Sequence, residues 1–260
     1  MEVKQAAHVL ELIEFFARHK RPATLAEIAK ALGWPRSSTF NLLNTLTARG
    51  YLYEPRAREG YYPSPQWLWH LQAIERAAPL PEAFGNLLRD LSQQTGETAC
   101  LAAISGTQVL FIDAVESAHA VRYAAPPGKV IPLHVTATGR ALLSLLGPSE
   151  RAQILRRATF ERYTPTTLMS VEAVESEIQR SVQRGWFEGH AEFSADLGGV
   201  AIALAVPHRH LAVLVAGPVS RVGDRYPDLA QTMRRAAAHH LAGVLQTREH
   251  TALTATLPPT

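Results

Sequence analysis

Apolar positions along the first fifty residues repeat with a helical period. Val9, Leu12, Ile13 and Phe16 fall at i, i+3, i+4 and i+7, which predicts an amphipathic helix over residues 4–19, with Pro22 ending it. Thr24 followed by Glu27 has the spacing of a capping box. Leu25, Ile28, Ala29 and Leu32 then supply the apolar face of a short second helix. Gly33 supplies the stop, and Pro35 suits the first turn of a third helix over roughly 35–49. Two short helices separated by about four residues have the spacing of a helix-turn-helix.

The third helix divides by face at 100° per residue. Thr39, Leu42, Leu43 and Leu46 point together and form its core side. Ser37, Asn41, Asn44 and Ala48 point the opposite way, with Ser38, Phe40 and Thr45 on the flanks and Arg36 at the start. An ordinary exposed helix face favours Glu, Lys and Arg, whereas this one is short, polar and uncharged. Asn suits the N6 and N7 edge of adenine, and Ser or Thr can meet bases or phosphates. Gly50 ends the helix. Tyr51-Leu52-Tyr53 and Gly60-Tyr61-Tyr62 then read as short strands around a charged tip with Arg56 and Arg58, placed as a wing that reaches phosphates or a minor groove. The candidate DNA contacts are therefore Arg36, Ser37, Ser38, Phe40, Asn41, Asn44, Thr45, Arg56 and Arg58.

Trp67, Leu68, Leu71 and Ile74 form one helical stripe before Pro79 and Pro81 break it, which predicts a linker helix within residues 64–81 whose apolar side meets another surface, such as a second subunit. From residue 82 onward, strands and helices alternate. Helices are expected at 83–95, 137–147, 149–158 and 171–185, and a last one through Leu229, Met233, Ala237, Leu241 and Val244. Strands are expected at about 98–105, 108–115, 120–125, 187–194, 199–207 and 211–217. Hairpins outnumber crossovers, so the class is α+β with an antiparallel sheet. The organisation is 1–63 winged helix-turn-helix, 64–81 linker, 82–248 second domain and 249–260 a disordered tail.

Composition narrows the possible classes. With 47% apolar and 19% charged residues the chain can bury a sizeable core. No apolar run approaches the ~20 residues of a membrane span, and the start of the chain lacks the apolar stretch of a signal peptide, so a cytoplasmic protein is expected. Charge is unevenly placed. Residues 1–65 carry nine Lys and Arg against six Asp and Glu, and the remainder carries 17 of each, so the whole excess of +3 lies where a polyanion would be met. One cysteine, Cys100, excludes an internal disulfide and a Cys-rich zinc site. Asp113, Glu116, His119, His134, His190, Glu192, His208 and His210 are the titratable candidates for chemistry, but no HExxH, GxSxG, P-loop or dinucleotide motif accompanies them. His239-His240 has no acidic partner at ligand spacing in the sequence. We expect no catalytic set, no metal site and no cofactor.

The run TLAEIAKALGWPRSSTFNLLNTLTARGYLYEPRAREGYY resembles the DNA-binding domain of the IclR family of bacterial regulators. In that family a Ser/Thr-rich start, an aromatic, an Arg or Asn, then LLxTL and GYL follow the turn. Here these are Ser37, Ser38, Phe40, Asn41, and Leu42 to Leu46, with Asn41 standing where many members have Arg. PLHVTATGRALLSLL (132–146), YTPTTLMSVEAVESEIQRSVQRGW (163–186) and the run through Ala216-Gly217-Pro218 extend the resemblance to about residues 4–248. The resemblance implies a GAF-like effector domain. Its loop at Ala137, Thr138 and Gly139 would meet an anionic group at a helix N-terminus. Glu192 falls near a position often acidic in the family. Ala203, Leu214 and Ala216 fall where members that bind small acids can place Cys or Ser, so an apolar wall, and with it an organic acid of the aromatic kind, is implied here.

The expected function is a transcription regulator that binds a double-stranded DNA operator as a dimer or tetramer and responds to a small organic acid. Two other classes remain open at this point. One is an enzyme whose helical N-terminal segment is a cap; the other is a protein-interaction module.

Overall fold

The computed structural model describes residues 3–56, 59–77, 80–207 and 209–244. Arg58, His208 and the 249–260 tail lie outside the described residues. The chain divides into two units, Met1–Leu80 and Pro81–Thr260.

In the first unit, helix α1 (Lys4–His19) buries Leu12, Phe15 and Phe16. Helix α2 (Leu25–Leu32) begins at the expected capping box: the Glu27 amide donates to Thr24 Oγ1 at 3.3 Å and the Thr24 amide donates to Glu27 Oε2 at 2.8 Å. Gly33 takes the left-handed conformation (φ 68°) that the tight turn needs. Helix α3 (Arg36–Ala48) follows, and Leu12, Phe16, Ile28, Leu43, Leu46 and Leu52 close the core of the three helices. Strands β1 (Leu52–Tyr53) and β2 (Tyr62–Pro63) pair antiparallel, and Tyr61 bridges to Ala23, tying the wing to the start of α2.

Helix α4 (Gln66–Ala77) closes this unit. The expected stripe is split in the fold. Trp67 turns inward, donating its indole N–H to Tyr51 O at 2.9 Å, while Leu68, Trp69, Leu71 and Ile74 stay exposed.

The second unit is built on a six-stranded antiparallel sheet in the order β5-β4-β3-β8-β7-β6. Its strands are β3 (Thr98–Ser105), β4 (Gln108–Val115), β5 (Val130–Pro132), β6 (Phe187–His190), β7 (Leu197–Val206) and β8 (Arg209–Pro218). Helices α5 (Glu82–Thr95) and α10 (Tyr226–His240) pack together and on the sheet, while α6 (Ala137–Ser144) packs against β7 and β8 beside α8 (Val171–Arg184). Strands β3 and β8 are buried on both faces, so they read as continuous apolar runs instead of alternating ones. Helix α7 (Pro148–Arg157) precedes α8. A short helix, α9 (Val219–Val222), follows β8; it was not expected, because four residues are too few to show a period.

Three expectations need correction. No strand forms at 120–125: Pro126 and Pro127 follow and cannot donate to a ladder, so the segment runs irregularly and drops Tyr123 into the core. Strand β6 stops at His190, not 194, because Ala191 adopts a left-handed φ of 55° and turns the chain into a loop over the sheet. The last helix ends at His240, so Leu241 and Val244 fall beyond it; His240 itself meets Asp90 on α5, with Nε2 to Oδ2 at 3.0 Å, a pairing across 150 residues that no spacing in the sequence shows.

Candidate functional site

Two surfaces stand out, one in each unit. The first is the outer side of α3. Ser37, Ser38, Phe40, Asn41, Asn44 and Thr45 are exposed, as is Arg36 at the start, while Thr39, Leu43 and Leu46 are buried. Not all of the hydroxyls are equally available. Ser38 Oγ donates to Pro35 O at 2.9 Å and Thr45 Oγ1 donates to Asn41 O at 2.8 Å, so both spend their proton on the helix backbone. Ser37, Asn41 and Asn44 are left as the polar groups that project outward. On the wing, Arg56 Nη1 pairs with Glu59 Oε1 at 3.2 Å; this exposed pair is worth at most about 1 kcal/mol and yields readily to a phosphate.

The second surface is a slot under the curved sheet in the C-terminal unit, with about 400 Å³ of space including the part open to solvent. Tyr123, Ile131 and Val135 line one side; Leu214, Ala216, Leu197, Gly198 and Gly199 line the sheet side; Glu192 and Phe193 come from the loop after β6. The helix α6 enters it through Thr136, Ala137 and Thr138.

The start of α6 is arranged to hold an anion. Thr136 caps the helix by accepting from the Gly139 amide at 3.1 Å, and the first amides, those of Ala137 and Thr138, have no partner within the helix. Thr138 Oγ1 is fully buried and has no hydrogen-bond partner among the described residues. A buried hydroxyl without a partner costs about 1–3 kcal/mol unless a bound group satisfies it. Gly139 lets the helix start lie on the preceding segment: a Cβ there would sit 2.0 Å from Leu133 O.

Within this helix, Arg140 is entirely buried. It meets the Glu192 carboxylate through both terminal nitrogens, with Nη2 to Oε1 at 3.1 Å, and donates from Nη2 to Glu188 O at 2.7 Å. Burial lifts the Glu192 carboxyl above its ordinary range, and the Arg140 guanidinium works against that shift. The loop carrying Glu192 is also pinned from outside: Thr164 and Thr167 donate to Glu192 O at 3.1 and 2.8 Å, and Thr166 donates to Ala191 O at 2.8 Å.

Of the residues named from sequence for the effector, Ala137, Thr138, Glu192, Leu214 and Ala216 line the slot, and Gly139 lies one residue behind it in α6. Ala203 does not line it. The slot meets β7 at Leu197 to Gly199, and Ala203 lies four residues further along, roughly 13 Å at strand spacing, in a separate groove beside Ser144 and Leu145. Sequence reading missed Tyr123, Val135 and Phe193 as lining residues, and Arg140 as the partner of Glu192. An Arg at the fourth position of an apolar helix was the available signal.

Two of the other titratable candidates, His134 and His190, have structural partners. His134 Nε2 lies 3.3 Å from Glu161 O, and burial lowers its pKa. His190 Nδ1 lies 3.0 Å from the Tyr226 hydroxyl. Cys100 is buried and its thiol is pushed up to about 12 by desolvation, which removes it as a nucleophile. Among the described residues no group of three or more His, Cys, Asp or Glu is placed to hold a metal, and no helix is long and apolar enough to cross a membrane.

A winged helix-turn-helix in one unit and a ligand-sized slot in the other define a DNA-binding regulator with an effector domain. Comparison with known proteins agrees: the IclR helix-turn-helix domain matches residues 5–56, and the C-terminal domain of bacterial IclR transcriptional regulators matches residues 72–241. The chain belongs to the IclR family. It is 26% identical over 227 residues to the transcriptional repressor IclR of Escherichia coli (strain K12), covering 86% of this chain and 83% of the repressor. It is 30% identical over 203 residues to the transcriptional regulator BhcR of Paracoccus denitrificans, covering 77% of this chain and 73% of that protein. The crystal structure of an IclR homologue from Microbacterium hydrocarbonoxydans, complexed with 4-hydroxybenzoate, shares the fold with a TM-score of 0.71 at 21% identity, covering 91% of this chain and 97% of that one.

Proposed function

We propose that this regulator senses a small, flat carboxylate with an apolar body, an aromatic acid being the best fit. The unpartnered hydroxyl of Thr138 carries the reading, because it lies at the helix start where an anion is favoured, on a residue that lines a mainly apolar slot. The carboxylate takes the Ala137 and Thr138 amides and the Thr138 hydroxyl; the ring lies between Leu214, Ala216 and Phe193. Glu192 does not repel it, since its charge is already matched by Arg140. An aromatic carboxylate is also what the Microbacterium homologue binds. Burying one ring contributes on the order of 2–3 kcal/mol, which separates an aromatic acid from a two- or three-carbon keto acid by roughly tenfold or more. Titration calorimetry of the full-length protein with benzoate, 4-hydroxybenzoate and pyruvate tests this. The aromatic acids should bind the parent and lose most of that binding in Thr138→Val; tight binding by pyruvate alone would end the model.

On the DNA side, Ser37, Asn41 and Asn44 meet base edges, with phosphate contacts from Arg36 and from the wing through Arg56 and Arg58. The protein acts as a homo-oligomer. The exposed Leu68, Trp69, Leu71 and Ile74 of α4 form an apolar stripe that a second copy would cover, so that paired α3 helices enter successive major grooves. Asn41→Ala and Asn44→Ala should each weaken binding to the preferred site by about 1–3 kcal/mol while leaving non-specific binding intact. Gel-shift titrations against specific and scrambled duplexes measure this, and equal binding by both variants would remove α3 as the reader.

A further inference from the structure

Phe40 is the anomaly on the DNA-facing side of α3. It is 48% exposed although Thr39, Leu43 and Leu46 of the same helix are buried, so the core does not account for it. Its helical neighbours at i−3 and i+4 are Ser37 and Asn44, which places the ring at the border of the polar face. That face is also unusual in its chemistry. Ser37 through Ala48 contains no Lys, Arg, Asp or Glu. Guanine is read in the major groove chiefly by Arg or Lys at O6 and N7, and cytosine by a carboxylate accepting from N4. Both readers are missing from Ser37 to Ala48, and Arg36, at the first position of α3, is the one basic residue of the helix. What remains on that face is Ser37, whose hydroxyl does not discriminate between bases, Asn41 and Asn44, whose amides match adenine N6 and N7, and a phenyl ring, which matches the C5 methyl that thymine alone carries. The hydroxyls of Ser38 and Thr45 are committed to Pro35 O and Asn41 O, so they do not restore a donor set for G·C pairs.

We infer that α3 reads A·T pairs, with Phe40 as the specificity-determining contact to a thymine methyl next to an adenine held by Asn44 or Asn41. The inference rests on α3 being the recognition helix, and it goes further by stating which base pairs that helix prefers and which atom of the DNA selects for them.

The test uses the full-length protein. Duplexes enriched by binding from a randomised pool are sequenced, and each dT of the enriched half-site is then replaced singly by dU, which removes only the methyl. The enriched core should be A·T-rich. One dT to dU replacement should weaken the parent about fourfold, the contribution of one buried methyl group. Phe40→Ala should bind the dT and dU duplexes equally, and Phe40→Leu, which keeps an apolar side chain, should retain part of the discrimination. Circular dichroism, thermal midpoint and solution mass of Phe40→Ala should match the parent; a changed mass would assign the ring to a protein interface and overturn the proposal. A G·C-rich core, a parent indifferent to every dU, or a Phe40→Ala variant that keeps the parent's sensitivity would each overturn it as well. Failure to enrich any sequence would instead remove α3 as a base reader altogether, a result separable from these.

Discussion

Glu192→Ala should destabilise the C-terminal unit by about 3–5 kcal/mol, the cost of leaving a buried charge without its partner. The Arg140 side chain is 0% exposed and that of Glu192 15%, so water cannot take over the role of the carboxylate. The remaining acceptors are two carbonyl groups, Glu188 O at 2.7 Å and His134 O at 3.4 Å, and Arg140 Nε already has no partner among the described residues. Glu192→Gln keeps an acceptor oxygen and should fall between parent and Ala. Removing both charges, as Arg140→Met with Glu192→Leu, should recover most of the loss, because a buried ion pair itself adds little net stability once its desolvation is counted. The upward pull of burial on the Glu192 carboxyl expresses that same desolvation cost. Urea unfolding of the four proteins followed by circular dichroism decides the matter. A loss below about 1 kcal/mol in Glu192→Ala would mean that the pair is not the strut of the effector slot. Because Glu192 sits on the loop that covers the slot, aromatic-acid binding should fall in parallel.

Gly139→Ala should be the most damaging single methyl in the effector domain. The added Cβ would meet Leu133 O at 2.0 Å and Leu133 C and Cα at 2.6 Å, all backbone atoms of a fully buried residue. No side chain can swing aside, so either the start of α6 or the segment before it must move. Overpacking of this kind typically costs about 1–3 kcal/mol, and here the displaced atoms also carry the amides proposed to hold the effector. A drop in thermal midpoint together with loss of benzoate binding is the expected result. Gly147→Ala, where nothing lies within 4 Å of the added carbon, serves as the control and should leave ligand binding unchanged. Benzoate binding by Gly139→Ala at the parent's affinity would place the ligand elsewhere.

The DNA-binding unit was legible because its signals are local. A capping box at Thr24 and Glu27, a left-handed Gly33, and an apolar stripe at Thr39, Leu43 and Leu46 all act within one or two turns of helix, so residue spacing specifies them without knowledge of the rest of the chain. The same holds for the outer face of α3, which is what remains once the core side has been assigned. Helices α5, α8 and α10 were placed on the same grounds. Strand β6 and the segment at 120–125 were not, because a strand's length depends on its neighbours: β6 ends where Ala191 turns away, and Tyr123 is held by its carbonyl accepting from Thr98 Oγ1 across 25 residues at 2.7 Å.

The effector slot divides between the two sources of information in the same way. That an anion would be met at Thr138 followed from resemblance and from the start of a helix, both properties of a short run. That Ala203 stands outside the slot and Tyr123 and Phe193 inside it depends on strand register and on the loop after β6, which no local pattern encodes. Arg140 shows the limit most clearly. In the sequence it is one charge in a helix of Ala, Gly and Leu, where exposure would be the ordinary expectation for a guanidinium. Only the fold brings Glu192, 52 residues away, within hydrogen-bond distance and so makes its burial tolerable. Periodicity reports which face of an element is apolar, because that is set by neighbours three or four residues apart; which charges may be buried is set by partners that the chain folds back to supply.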